Sequence, residues 1–168
     1  MRHFIVHTRR AGHVVARPLN CGVSRQVGRA VGSVRIGYFE AFKGRDTLLI
    51  DGDVEGLGEL MRTLNVLVLA QQDVVMLHSL PFVSAMGRLE VNACWSQRDS
   101  GLSKIDDAFY WRRSSTGWAA VVEQILGVKN QGRCHQYLDA PSDEVAVMVS
   151  SGEYGEPWPK LAAAPWSA

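Results

Sequence analysis

Three residues could together make a nucleophilic centre: His78, Cys94 and His135. A Cys–His pair works only when its side chains converge within hydrogen-bond reach, because the imidazole must take the thiol proton. Cys134 and His135 are adjacent, but neighbours on a strand point to opposite faces. Cys94 would therefore have to meet His78 or His135 through the tertiary fold, and a small enzyme built that way is one reading of the chain. The plainer reading makes Cys94 and Cys134 small buried apolar residues. Asp51-Gly52-Asp53-Val54-Glu55-Gly56 has the form of a calcium-loop head, which needs a bidentate glutamate at its twelfth position. Arg62 stands there and would repel the ion, so the run reads as a strand end followed by a helix cap. His3, His7 and His13 crowd the start, yet a zinc site wants three or four ligands and no carboxylate occurs before Glu40. G-x-S-x-G, H-E-x-x-H, a P-loop lysine and G-x-G-x-x-G are all missing. The expectation is a non-enzyme with no catalytic residue, metal or cofactor.

Aromatic and acidic residues carry more of the argument. Trp158 lies between two prolines near Glu153, Tyr154 and Glu156, and Asp139 stands one turn and strand earlier. Aromatic anchors inside an acidic rim suit the binding of a basic protein. Asp139, Glu153, Tyr154, Glu156 and Trp158 are thus the candidate partner-binding residues. The competing reading is ordinary surface charge with a tail that folds back.

These residues must be positioned by local elements. Tyr38–Phe42 and Thr47–Ile50 read as strands joined by a turn at Lys43–Asp46. Asp53 suits an N-cap, and Leu57, Leu60, Met61, Leu64, Leu67 and Val68 make one helical face from Val54 to about Ala70. Val74–Leu77 reads as a buried strand, and Leu89, Val91 and Ala93 alternate as in a half-covered one. Ser96–Asp107 reads as a polar loop, and Phe109 starts another strand. Ser114 or Ser115 caps a second helix over Thr116–Leu126, with Trp118, Val121, Val122 and Ile125 inward and Gly127 as its stop. Gln136–Leu138 is a strand candidate, Ala140–Asp143 a turn, and Val145, Val147 and Val149 alternate in a last strand.

Side by side, the two helical blocks look alike. Asp53-Val54-Glu55-Gly56-Leu57 matches Ser114-Ser115-Thr116-Gly117-Trp118, His78 matches His135, and the strand at Leu89 matches that at Val145. Each block is a strand–helix–strand–strand unit whose apolar helix stripe cannot be buried alone. Pairing units 38–95 and 109–150 predicts an α+β fold: a mostly antiparallel sheet with two helices packed on one face.

The composition sets the frame. With 168 residues and 46% hydrophobic content, one domain can bury roughly 70% of its unfolded surface. Residues 1–37 hold seven arginines and no acid, whereas the remainder has eleven Lys or Arg against seventeen Asp or Glu. A basic arm (1–37) thus precedes an acidic domain (38–157) and an irregular proline- and alanine-rich tail (158–168). The arm could bind nucleic acid, act as a targeting peptide, fold onto the acidic body, or be a weakly structured extension. No apolar run reaches the ~18 residues of a membrane span, no secretory signal is visible, and three scattered cysteines fit a reducing compartment. The expected location is the cytoplasm, without membrane contact.

At Leu49-Ile50-Asp51-Gly52-Asp53-Val54-Glu55-Gly56-Leu57 and His135-Gln136-Tyr137-Leu138-Asp139 the chain resembles small bacterial immunity proteins of polymorphic-toxin systems, contact-dependent or type VI. The resemblance covers residues 46–95 and, in degraded form, 109–150, where Ser-Ser-Thr-Gly-Trp replaces the Gly-Asp form. It implies a protein that binds and blocks a cognate toxin without catalysis. An acidic body adds a physical reason, because nuclease toxins tend to be basic and acidic surfaces steer them quickly.

Overall fold

The apolar–polar alternation of Val34-Arg35-Ile36 and the continuous apolar run Leu48-Leu49-Ile50 build the first hairpin, β1 (Val34–Phe42) with β2 (Arg45–Gly52). The turn residues Lys43 and Gly44 both have positive φ, 51° and 89°, the backbone form that matches the twist of a tight hairpin. A computed structural model describes residues 32–138, 145–154 and 158 of the chain. The first strand begins at Val34, so the last four residues of the expected basic arm belong to the sheet. Asp139, Glu156 and the expected turn at Ala140–Asp143 lie outside the described residues, as do residues 1–31.

Helix α1 (Val54–Val68) follows, with Asp53 as its N-cap: the carboxylate accepts from the Gly56 amide at 2.6 Å and from the Ser33 amide and hydroxyl at 3.0 Å. Gly56 has to be glycine, since a Cβ there would collide with the Ser33 backbone. Leu57, Leu60, Leu64 and Leu67 are fully buried, each worth roughly 1.5–3 kcal/mol. Next come β3 (Val74–Met76), a 3-10 turn (Leu77–Ser79), β4 (Val83–Ala85), β5 (Glu90–Trp95), β6 (Gly101–Ile105) and β7 (Ala108–Arg113). Helix α2 (Ser115–Gln131) is capped by Ser114, whose hydroxyl accepts from the Gly117 amide at 3.1 Å. Strands β8 (His135–Tyr137) and β9 (Ala146–Ser151) complete the order. Three expectations change here. The strand expected to be buried at Val74–Leu77 is the edge strand β3, with Val74 and Met76 exposed and Leu77 in the 3-10 turn. The loop expected at Ser96–Asp107 contains β6, and α2 passes through Gly127 to end at Gly132, where φ is 80°.

The α+β class holds, with two mixed sheets in place of one mostly antiparallel sheet. The five-stranded sheet has the order β4-β1-β2-β9-β8 and the four-stranded sheet the order β3-β5-β7-β6. Strands β1/β4, β2/β9 and β5/β7 pair in parallel. The physical reason is an exchange between two like units. Hairpin β1-β2, helix α1 and strands β3 and β5 repeat as hairpin β6-β7, helix α2 and strands β8 and β9. Each sheet joins the hairpin of one unit to the closing strands of the other, with β2 beside β9 and β7 beside β5. The helices pack on each other and each touches strands of both sheets. The larger core results between the sheets and helices and includes Trp111 and Trp118, edge to face at 4.8 Å. No helix among the described residues is long and apolar enough to cross a membrane.

Two predictions follow from the caps and the chain start. Burial alone would raise the Asp53 pKa, but the Gly56 and Ser33 hydrogen bonds outweigh it and hold it below the usual carboxylate value. Asp99 is held low in the same way, chiefly by the Ser114 amide at 2.6 Å. A folded-state pKa below the unfolded one gives stability that is full above the unfolded value, about 4, and lost as pH falls through the folded value. Melting temperatures measured from about pH 6 down to about pH 2 should fall, and Asp53→Asn with Asp99→Asn should flatten that fall, since the asparagine oxygens can still accept these hydrogen bonds without titrating. An unchanged slope in the double variant would contradict this. Separately, deleting residues 1–31 should preserve cooperative urea unfolding. Extending the deletion through Val34 should not leave stability intact, because Val34 is fully buried and Ser33 completes the Asp53 cap. Equal midpoints for the two truncations would show that these contacts add nothing.

Candidate interaction surface

Strand alternation turns every second residue of the five-stranded sheet away from the helices. Cross-strand register aligns Arg35, Asp51, Ser150 and His135 in one polar row on that outer face. Gly37, Leu49, Met148 and Tyr137 form the apolar row beside it. Phe39, Leu49 and Met148 are a second small core, against which Phe42, Tyr137, Tyr154 and Trp158 pack.

Trp158 lies 5.4 Å from the Phe39 ring, and the Arg35 guanidinium stacks over it at 4.8 Å. Gly37 makes room, since a Cβ there would strike the indole. Arg35 also donates to the Tyr154 carbonyl and pairs with Asp51 at 2.7 Å. Tyr154 meets the Phe42 ring edge-on at 5.8 Å. The Lys43 ammonium sits 5.6 Å from the Tyr154 ring and donates to His135 Nε2 at 3.0 Å, while His135 Nδ1 meets Glu153 Oε2 at 2.5 Å. Burial works against the charge on Lys43, but Tyr154, Glu153 and Tyr137 outweigh it and raise its pKa. Lys43 is thus a fixed cation at neutral pH, unsuited to act as a base or nucleophile.

Glu153, Tyr154 and Trp158, expected from sequence as anchors, therefore share one surface. All three are half-buried and already hold intramolecular contacts. Sequence reasoning missed Lys43, read only as a turn residue, and Arg35, assigned to the basic arm. The apolar–Arg–apolar alternation at Val34-Arg35-Ile36 was the available signal for Arg35.

Beside this surface, a cleft of about 360 Å³ is lined by Ser33, Arg35, Asp51, Gly52, Asp53 and Gly152. Asp51 is 3% exposed; one carboxylate oxygen pairs with Arg35 and the other is buried without a hydrogen-bond partner. Asp51 and Asp53 are thus engaged by an arginine and a helix end. Among the described residues no group of three or more His, Cys, Asp or Glu could hold a metal ion.

Among the described residues, no hydrogen bond joins His78, Cys94 and His135 to one another. His78 Nδ1 accepts from the Val91 amide at 3.1 Å and ties the 3-10 turn to β5. Cys94 is also on β5, in the other sheet from His135, and burial raises its thiol pKa against the opposing pull of Arg112, so the poorly nucleophilic thiol form is kept. His135 is committed to Lys43 and Glu153.

Compared with known proteins, the chain shows no significant match to a family model, a curated protein or a solved structure. Its functional reading rests on its own residues.

Proposed function

We propose that this chain is a non-enzymatic protein-binding domain of the immunity type, which neutralises a cognate bacterial toxin through the outer face of the five-stranded sheet. The observation that carries the reading is the Asp51 carboxylate, which lines the cleft with one oxygen on Arg35 and the other without a donor. A buried carboxylate oxygen without a donor costs stability, and a partner that brings a lysine or arginine side chain satisfies it. Tyr154 and Trp158 flank the site with half-exposed aromatic surface, the composition of a binding hot spot. A basic toxin suits both features.

Co-expression tests the proposal. The polypeptide encoded immediately upstream should arrest growth by itself, and this chain should restore it. Asp51→Asn and Tyr154→Ala should lose protection while remaining folded by circular dichroism. An upstream product without toxicity, or protection unaffected by both substitutions, would refute the reading.

A further inference from the structure

His135 joins three segments of the chain through its two ring nitrogens. Lys43 reaches Nε2 at 3.0 Å from the turn between β1 and β2, and Glu153, just past β9, meets Nδ1 at 2.5 Å. An ammonium group has only donors, so Nε2 must hold a lone pair and accept. Nδ1 then carries the single ring proton and donates to the Glu153 carboxylate. The two contacts together select the neutral ring with its proton on Nδ1. The other titratable groups against the ring are Tyr137 of β8 and Tyr154 beyond β9, each with its ring centre 6.5 Å away. Ser150, across from His135 on β9, does not titrate.

A second proton has to enter at Nε2, the atom that Lys43 holds. An imidazolium donates from both nitrogens and can no longer accept from the ammonium. The two cations repel at that separation, whereas Glu153 gains a charged partner. Protonation of this one ring therefore breaks the contact with Lys43 and keeps the contact with Glu153.

We propose that Lys43, His135 and Glu153 form a pH-sensitive clasp, in which protonation of His135 releases Lys43 and with it the tie between the β1–β2 turn and β8. The three side chains carry no net charge while the ring is neutral and one positive charge afterwards. Acidification therefore weakens the hold of this face on a basic partner, a consequence that rests on the toxin-binding reading, whereas the clasp itself does not.

An NMR titration of the full chain from about pH 8 down to about pH 5 tests the clasp, because histidine changes charge in that interval and lysine does not. At the alkaline end the ring proton of His135 should be found on Nδ1. As the pH falls, the Lys43 side-chain resonances should shift with the same midpoint as the His135 ring. Lys43→Met should move that midpoint up by about half a pH unit, because it removes the cation that opposes the second proton. Glu153→Gln should move it down by about as much, because it removes the anion that favours it. Circular dichroism confirms that both variants are folded. A ring proton on Nε2 at the alkaline end overturns the proposal. So do Lys43 resonances that stay still while the ring titrates, or a midpoint that neither substitution moves. Binding of the polypeptide encoded immediately upstream, measured at both ends of the same range, should be weaker at the acid end. Absence of binding at either end would refute the toxin-binding reading, while the NMR result decides the clasp.

Discussion

A chain cut in the connection between β5 and β6, within residues 96–99, should yield two halves that do not fold alone but restore the native structure when mixed. The reason is the exchange of strands. In the first half, β2 loses its parallel neighbour β9, and β5 loses β7. Helix α1 keeps its leucine stripe but loses α2, its largest helical contact. Each half would expose sheet edges and a helix face, and a chain of that size has little core to offset its conformational entropy. Cooperative urea unfolding should be absent from each half and should return in the mixture. A half that unfolds cooperatively alone would show that the units are independent, against the topology described above.

The second large effect is expected at Trp118. Its side chain is fully buried, stacks edge-on against Trp111 at 4.8 Å, and donates from Nε1 to the Cys94 carbonyl at 3.1 Å. It ties α2 to β5 of the other unit, so it joins the two halves. Trp118→Ala should cost on the order of 3–5 kcal/mol from lost burial and the cavity left behind. The Cys94 carbonyl would also lose a donor, adding about 1 kcal/mol or more. Trp118→Phe should recover part of the packing but not the hydrogen bond. A urea midpoint unchanged by the alanine substitution would contradict the central placing of this residue.

The local elements were legible because their signals are local. Asp53 and Ser114 announce helix starts through side chains that accept from the first turn, and the leucines of α1 recur at helical spacing. Other features depend on distant residues. Strand β6 escaped notice because only Leu102 of Gly101–Ile105 turns a buried apolar side chain to the core, beside exposed Lys104. Gly127 looked like a stop, yet a Cβ there would meet little, so α2 runs on until Gly132 supplies positive φ. The like order of the two units showed in the sequence, but the trade of strands between them did not, because β2 and β9 are nearly a hundred residues apart. The same holds for the candidate surface. Glu153, Tyr154 and Trp158 could be singled out by composition. Their neighbours Arg35, Lys43, Asp51 and His135 come from four other strands and turns, and only the register of the sheet brings them together.

The most direct measurement of the proposed function is the binding kinetics between this chain and the polypeptide encoded immediately upstream. Glu153→Lys should slow association and reduce its dependence on salt, because a charge at the rim acts chiefly on encounter. Trp158→Ala should leave association nearly unchanged and speed dissociation by roughly tenfold or more, because an aromatic anchor holds the bound state. Unfolding midpoints measured in parallel separate these effects from loss of the intramolecular contacts that Trp158 makes with Phe39 and Arg35. Binding with these two separate kinetic signatures is the predicted result. Absence of binding, or rates that neither substitution changes, would contradict the account.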